Sequence, residues 1–244
     1  AGIKIMTTNI SSGWLGNDLY DYTEVDKALD GIFEAAPDAY YMPRVKLNVP
    51  PTWCAKNPEE AAVFYPGKLT NEEITELFNK GEFDVQGDSP NRKVGLQSFA
   101  SKKWLADASE ALRRFVEHIE NSKYKDRIIG YHIAFGIAGE CAHWRAWEKE
   151  KIKDLRGDYG KAFVRGFYDW GIAKYGSAEN LAKVWNQPNI SRENVVLPSP
   201  ARREHDWRDV REFFRDAPDG AISADMEIFI SDCTANALDV FGGV

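Results

Sequence analysis

Cysteine is scarce in this sequence: three in 244 residues, at Cys54, Cys141 and Cys233. So low and odd a number excludes a disulfide scaffold, and no C-x-x-C pair or other zinc-ligand spacing occurs. Long apolar runs are missing too, since none approaches the roughly 20 residues that a membrane-spanning helix needs. Positive charge is in deficit, with 31 Lys and Arg against 38 Asp and Glu and a net charge of −7. A nucleic-acid backbone would need a dense basic patch. The nearest candidate, Ala201-Arg202-Arg203-Glu204-His205, is diluted by its own acids. There is no P-loop and no Gly-rich dinucleotide turn. Nucleic acid, membrane and nucleotide cofactors are thereby set aside.

What is present is apolar surface. The chain holds 8 Trp, 10 Tyr and 13 Phe, and hydrophobic residues make up 43%. That is enough to build a sizeable core and is inconsistent with a disordered chain. The segment Gly2 to Ile10 is short, β-branched and apolar, and reads as a buried strand. A helix is expected to open at Tyr22-Thr23-Glu24-Val25-Asp26, with Thr23 as N-cap and Asp26 favourable to the helix dipole. Val25, Leu29, Ile32 and Phe33 fall at helical spacing, and Pro37 ends the run.

Ala39 to Leu47 reads as a second strand, closed by Pro50-Pro51. Pro43 has no N–H to give, so a bend or bulge is expected there. Residues 54–97 form a long loop with one helix candidate, Asn71 to Lys80; a stretch of that length is more often functional than a passive linker. From Ser101 to Ser122, Trp104, Leu105, Ala108, Leu112, Phe115, Val116 and Ile119 trace one apolar helix face. Arg127 to Gly136 is a third strand. Further helices are expected over Tyr159–Tyr175, Ala178–Trp185 and Ala224–Phe241. Strands alternating with helices, the strands almost continuously apolar, specify an α/β fold with a parallel sheet.

In such folds active groups stand at the C-terminal ends of strands. The third strand is followed by Gly136-Ile137-Ala138-Gly139-Glu140-Cys141-Ala142-His143-Trp144. The two glycines would let a sugar approach the backbone. Trp144 offers a flat apolar face, and a nearby Glu140 raised by desolvation could protonate a leaving oxygen. Alternatively, Glu140 is a solvated acid at a helix start. His132, inside the strand, is either a core histidine or a ligand contact. Glu140, Cys141 and His143 match no standard metal spacing, so no metal is expected. After the second strand, Arg44 could hold a neighbouring carboxylate ionised. Trp14 and Trp53 also follow strand ends; with Trp144 they suggest an aromatic-walled cleft, although any one of them could be core.

Several segments together resemble one family. Tyr20 to Asp26, preceded by Ala1 to Ile5, is similar to the early barrel of glycoside hydrolase family 42 β-galactosidases. Val49-Pro50-Pro51-Thr52-Trp53 resembles their "P-x-W" strand end. Trp170 to Trp185 is similar to their "W-L-x-x-Y-G … L-N-x-x-W" segment, and Asp225 to Ser231 to their "D-x-x-x-F-x-S" helix. The resemblance implies part of a (β/α)8 TIM barrel, roughly strands two to four with their helices. It also implies retaining hydrolysis of a β-glycoside with no cofactor, Glu140 as general acid/base, and Trp14, Arg44, Trp53, His132, Gly139, His143 and Trp144 around a carbohydrate substrate. Gly139 departs from the Asn that family members carry before that Glu and use on the sugar 2-hydroxyl.

The expectation that follows is that residues 1–244 are part of one catalytic domain, incomplete at both ends, with 54–97 a loop insertion at the strand-end face and the nucleophile outside the chain. Retaining chemistry needs two carboxyls about 5–5.5 Å apart, and no second acid here has a strand-end context. Cytoplasmic location and homo-oligomer formation are implied by the family alone. A non-catalytic sugar-binding or degenerate barrel protein is the alternative reading.

Overall fold

The computed structural model describes residues 4–63, 96–136, 139–143, 157–198 and 220–244. Trp144 and the helix candidate at Asn71 to Lys80 lie outside them. The described residues form an α/β fold whose centre is a parallel sheet. Each of its first two strands is built in two pieces: β1 (Ile5–Met6) with β2 (Asn9–Ser11), and β5 (Tyr40–Tyr41) with β6 (Arg44–Lys46). β1 pairs with β5, and β2 pairs with β6, both parallel. The ladder runs on across the gaps, since Met42 N donates to Met6 O at 2.9 Å and Arg44 N to Thr8 O at 2.9 Å. β7 (His132–Ala134) pairs with β6 on the other side, giving the order β2-β6-β7. The interruption between β5 and β6 falls at Met42-Pro43. Pro43 O accepts from His132 N at 2.9 Å, and the ring nitrogen beside it has no hydrogen to return. The small hairpin of β3 (Trp14–Gly16) and β4 (Leu19–Tyr20) follows β2.

One face of the sheet is buried, and the pleat decides which. Tyr41, Val45, Leu47 and Val49 alternate inward with Ile10 and Phe135. Helix α1 (Thr23–Ala35) closes this face with Val25 and Leu29. Its N-terminus differs from expectation. Thr23 lies inside the helix, and the cap position, Tyr22, has no side-chain cap bond. Asp21 Oδ1 instead accepts from Thr23 N (2.9 Å) and from Thr23 Oγ1 (2.7 Å), so the threonine hydroxyl is spent on the carboxylate. Those two bonds hold the Asp21 carboxyl below its ordinary range.

Pro50-Pro51 does not simply close the second strand. Pro51 starts α2 (Pro51–Lys56), its fixed φ and missing N–H suiting a first helical turn. The main buried helix is α3 (Lys102–Glu120). It starts where the sequence indicated, because Ser101 Oγ accepts from Trp104 N at 2.9 Å. Trp104 is fully buried and donates Nε1 to Leu47 O at 3.0 Å, which pins the helix to the end of β6. Losing that ring would cost about 3–5 kcal/mol.

The remaining helices are α4 (Lys161–Tyr175), α5 (Ala178–Val184) and α6 (Gly220–Gly242). They join through one buried carboxylate. Asp225 on α6 accepts from Lys174 Nζ at 2.6 Å, Tyr175 Oη at 2.8 Å and Trp185 Nε1 at 2.7 Å. Gly171 allows the approach: a Cβ there would stand 2.7 Å from Trp185 Cη2. No helix among the described residues is long and apolar enough to cross a membrane.

Candidate active site

The other face of the sheet is uncovered by described helices, and it is polar above and apolar below. Asn9, Arg44 and His132 are register partners across β2, β6 and β7. Ser11, Lys46 and Ala134 form the next row toward the strand ends. At the opposite end Ile5 and Tyr40 pair, 55% and 45% exposed. Neighbouring strands stand about 4.8 Å apart, so each row sets its side chains within mutual reach. His132 is exposed in this row.

Glu140 follows β7 on a turn held from below. Asn48 grips Gly136 twice, donating Nδ2 to Gly136 O (3.0 Å) and accepting from Gly136 N at Oδ1 (2.7 Å). Gln97, fully buried, backs the grip by donating Nε2 to Asn48 Oδ1 at 3.0 Å and accepting from Val49 N at 3.2 Å. Arg44 Nη2 donates to Gly139 O at 2.6 Å, and Cys141 N returns to Phe135 O at 2.8 Å. The backbone is left-handed at Gly136 (φ 73°), Gly139 (φ 72°) and Cys141 (φ 57°). A Cβ on Gly136 would meet Ala142 O at 2.2 Å. On Gly139 it would lie 3.1 Å from Ala134 Cβ and 3.8 Å from Asn9 Oδ1, so glycine suits both the conformation and the space. The result is an exposed carboxylate at the C-terminal end of a parallel strand, on a fixed backbone.

The structure thus gathers Arg44, His132 and Gly139 about the turn that bears Glu140, and adds Asn9, Asn48 and Gln97. Asn9 carries no local mark of a site, because it sits inside an apolar strand. The aromatic-walled cleft is corrected where it can be described. Trp53 is fully buried in α2 with Nε1 on Asp107 Oδ2 (2.7 Å); the helix begun by Pro51 turns it into the core. Trp14 is 5% exposed and donates Nε1 to Asn17 O at 2.9 Å within the hairpin. Neither ring presents an open face for a sugar. His143 is buried between Phe99 and Phe163, at ring separations of 5.1 and 6.2 Å.

The Cys141 thiol, next to Glu140, is raised above its ordinary value chiefly by burial, so it is a poor nucleophile at neutral pH. Among the described residues no three His, Cys, Asp or Glu converge to hold a metal ion. An open groove of about 610 Å³ lies elsewhere, between α1 and α3. Its polar groups already pair within it, His118 Nε2 with Asp26 Oδ1 and Tyr124 Oη with Asp30 Oδ1, each at 2.7 Å.

No protein-family model and no curated protein matches the chain. Solved structures do. The catalytic domain of a β-amylase from Paenibacillus polymyxa superposes with a TM-score of 0.62 at 16% identity, over 99% of this chain and 55% of that one. A β-galactosidase from Bacillus circulans sp. alkalophilus gives 0.58 at 15% identity, over 99% of this chain and 30% of that one. A GH42 β-galactosidase from G. stearothermophilus gives 0.54 at 11%, over 98% and 28%. At such identities the likeness establishes a shared fold. The chain spans about a third to a half of the length of these enzymes, and no closed barrel is seen among its described residues.

Proposed function

We propose that this chain carries the acid/base half of a glycoside hydrolase, with Glu140 protonating the departing glycosidic oxygen and then activating water. The observation that carries the reading is the position of Glu140. It is exposed, it follows a parallel strand at the C-terminal end, and its turn is clamped by Arg44 and Asn48, in a fold shared with glycosidases. A fixed backbone suits general acid catalysis, which depends on holding the proton within hydrogen-bond reach of the leaving atom. The sheet is read as strands two to four of a (β/α)8 barrel, with the uncovered face as its interior and the glycoside lying over Asn9, Arg44 and His132. Trp144 is retained as a sugar platform. The open-face strand positions hold no acid, so the second carboxylate of a retaining or inverting pair comes from elsewhere in the protein.

The test compares leaving groups. With a general acid removed, Glu140→Gln should slow hydrolysis of alkyl β-glycosides by about 10²–10⁴-fold, and activated aryl β-glycosides far less. Equal losses on both would refute the acid role. The second reading, a non-catalytic sugar-binding barrel, is favoured by the lack of an acid at the described open-face strand positions. It predicts sugar-dependent tryptophan fluorescence with no turnover of any glycoside by the protein.

A further inference from the structure

The grip of Asn48 on the turn that carries Glu140 has a second amide behind it. Asn48 Oδ1 accepts twice, from Gly136 N at 2.7 Å and from Gln97 Nε2 at 3.0 Å. Its Nδ2 donates to Gly136 O at 3.0 Å. Gln97 Oε1 in turn accepts from Val49 N at 3.2 Å. Two side-chain amides thus stand in series between Val49, beyond the end of β6, and Gly136, beyond the end of β7.

Backbone chemistry fixes how both amides must face. A backbone N–H can only donate, so Val49 N requires the oxygen end of Gln97. The nitrogen end then meets Asn48, which has to offer its own oxygen. Gly136 N calls for that same oxygen, and Gly136 O for the nitrogen beside it. Turning either amide over would set donor against donor and acceptor against acceptor. Gln97 therefore selects the one orientation of Asn48 that holds Gly136.

Gln97 is itself held on both sides. It is fully buried, and its backbone bridges to Ala61. Leu96 O accepts from Ala62 N at 2.8 Å, and Ser98 N donates to Glu60 O at 2.9 Å. At the other end of the series, Gly136 opens the turn that Cys141 N closes on Phe135 O, so displacing Gly136 displaces Glu140. Buried amides add little net stability, because folding exchanges their bonds to water for bonds to protein. What this pair adds is a single geometry, and that geometry belongs to the turn of the candidate acid.

We propose that Gln97 is a positioning residue for Glu140, acting through Asn48 and Gly136 to aim the acid at the leaving oxygen. The inference rests on the glycosidase reading above and deepens it. Gln97 touches no substrate and takes no proton.

The test begins with Gln97→Met, which keeps the length of the side chain and removes both hydrogen-bonding ends. A misplacement of about 1 Å costs on the order of 100-fold, so kcat for alkyl β-glycosides should fall by about 10–100-fold. Activated aryl β-glycosides need little help from an acid and should lose far less, with KM little changed for either. Asn48→Ala should show the same split. The double variant should be no worse than the poorer single one, as expected when one residue acts through the other. Asp225→Ala, which loosens helices away from this turn, is the control and should not separate the two substrate types. Amide exchange at Gly136 should also quicken in Gln97→Met, by about tenfold beyond any change along α3. Should Gln97→Met not fold, Gln97→Asn is read in its place, since it withdraws the same amide by one methylene.

Equal losses on both substrate types in the Gln97 variant, penalties that add in full in the double variant, or unchanged exchange at Gly136 each overturn the proposal. The two readings fail differently. If Glu140→Gln separates the substrate types and the Gln97 variant does not, the positioning role alone falls. If Glu140→Gln lowers both types alike, or the parent turns over no glycoside, the acid reading falls and the positioning role with it.

Discussion

Two carboxylates in this molecule are treated in opposite ways. Asp225 is 3% exposed and receives three donors, from the adjacent Lys174 and Tyr175 and from Trp185. Glu140 is exposed, and the hydrogen bonds around it go to the backbone of its turn, at Gly136, Gly139 and Cys141. In the first case the protein satisfies the charge and obtains a joint between helices. In the second it fixes the chain and leaves the charge to act on something else. The spent acid holds structure, and the presented one is the acid to which the proposed chemistry is assigned. The neighbouring groups fit the contrast, since burial, then Asp225, push the Tyr175 hydroxyl well above its ordinary value, which keeps it a neutral donor.

The sharpest way to break this contrast is Asp225→Ala. Removing the acceptor strands a lysine, a tyrosine and a buried indole N–H, at an expected cost of about 3–5 kcal/mol, read as a lower urea midpoint. A midpoint within error of the parent would show that the cluster is not a joint. Gly136→Ala should come next, at about 1–3 kcal/mol, because φ is 73° and a Cβ would meet Ala142 O at 2.2 Å. Its loss of sugar turnover should exceed its loss of stability, since the strain falls on the turn that aims Glu140.

Glu140→Gln sharpens the comparison from the other side. An exposed acid with no structural duty should leave the urea midpoint within about 0.5 kcal/mol of the parent, while activity falls as described above. The smallest effect concerns a third kind of acid. Hydrogen bonds from Arg113 and Arg114 hold the Glu110 carboxyl down at about 2. Its folded value lies below its unfolded one, so its contribution is present above the ordinary carboxylate range of about 4.3 and is lost as pH falls through about 2. On a wet helix surface that contribution is only about 0.5 kcal/mol. Midpoints of the parent and Glu110→Gln should therefore differ slightly at neutral pH and converge near the acid limit.

The parts of the fold legible in the sequence were those set by local pattern. The apolar face of α3 follows from its period, and the break at Pro43 from a missing N–H. What escaped was set by contacts far apart in the chain. Gln97 backs Asn48 across 49 positions, and nothing near either residue marks the pair. Lys174-Tyr175, Trp185 and Asp225 were visible as separate motif residues, but only folding brings them to one carboxylate. Trp53 reads as cleft wall from the sequence because Pro50-Pro51 looks like an ending, whereas Pro51 begins a helix that rotates the next residues inward. The sequence offers Arg44 as the keeper of a carboxylate, whereas its bond runs to the carbonyl just before one.

The stem that closes residues 61–97 has a consequence for how such a protein changes over generations. Ala61 and Gln97 form an antiparallel bridge, with Ala62 N on Leu96 O at 2.8 Å and Ser98 N on Glu60 O at 2.9 Å. Both ends are therefore fastened about one strand spacing apart, near 4.8 Å, before the chain departs and after it returns. A segment mounted on such a clasp can be exchanged, lengthened or trimmed while the strands beneath keep their register. Substitutions inside the clasp can thus accumulate while its fastened ends, and the bond from Gln97 to Asn48 beside them, stay in place.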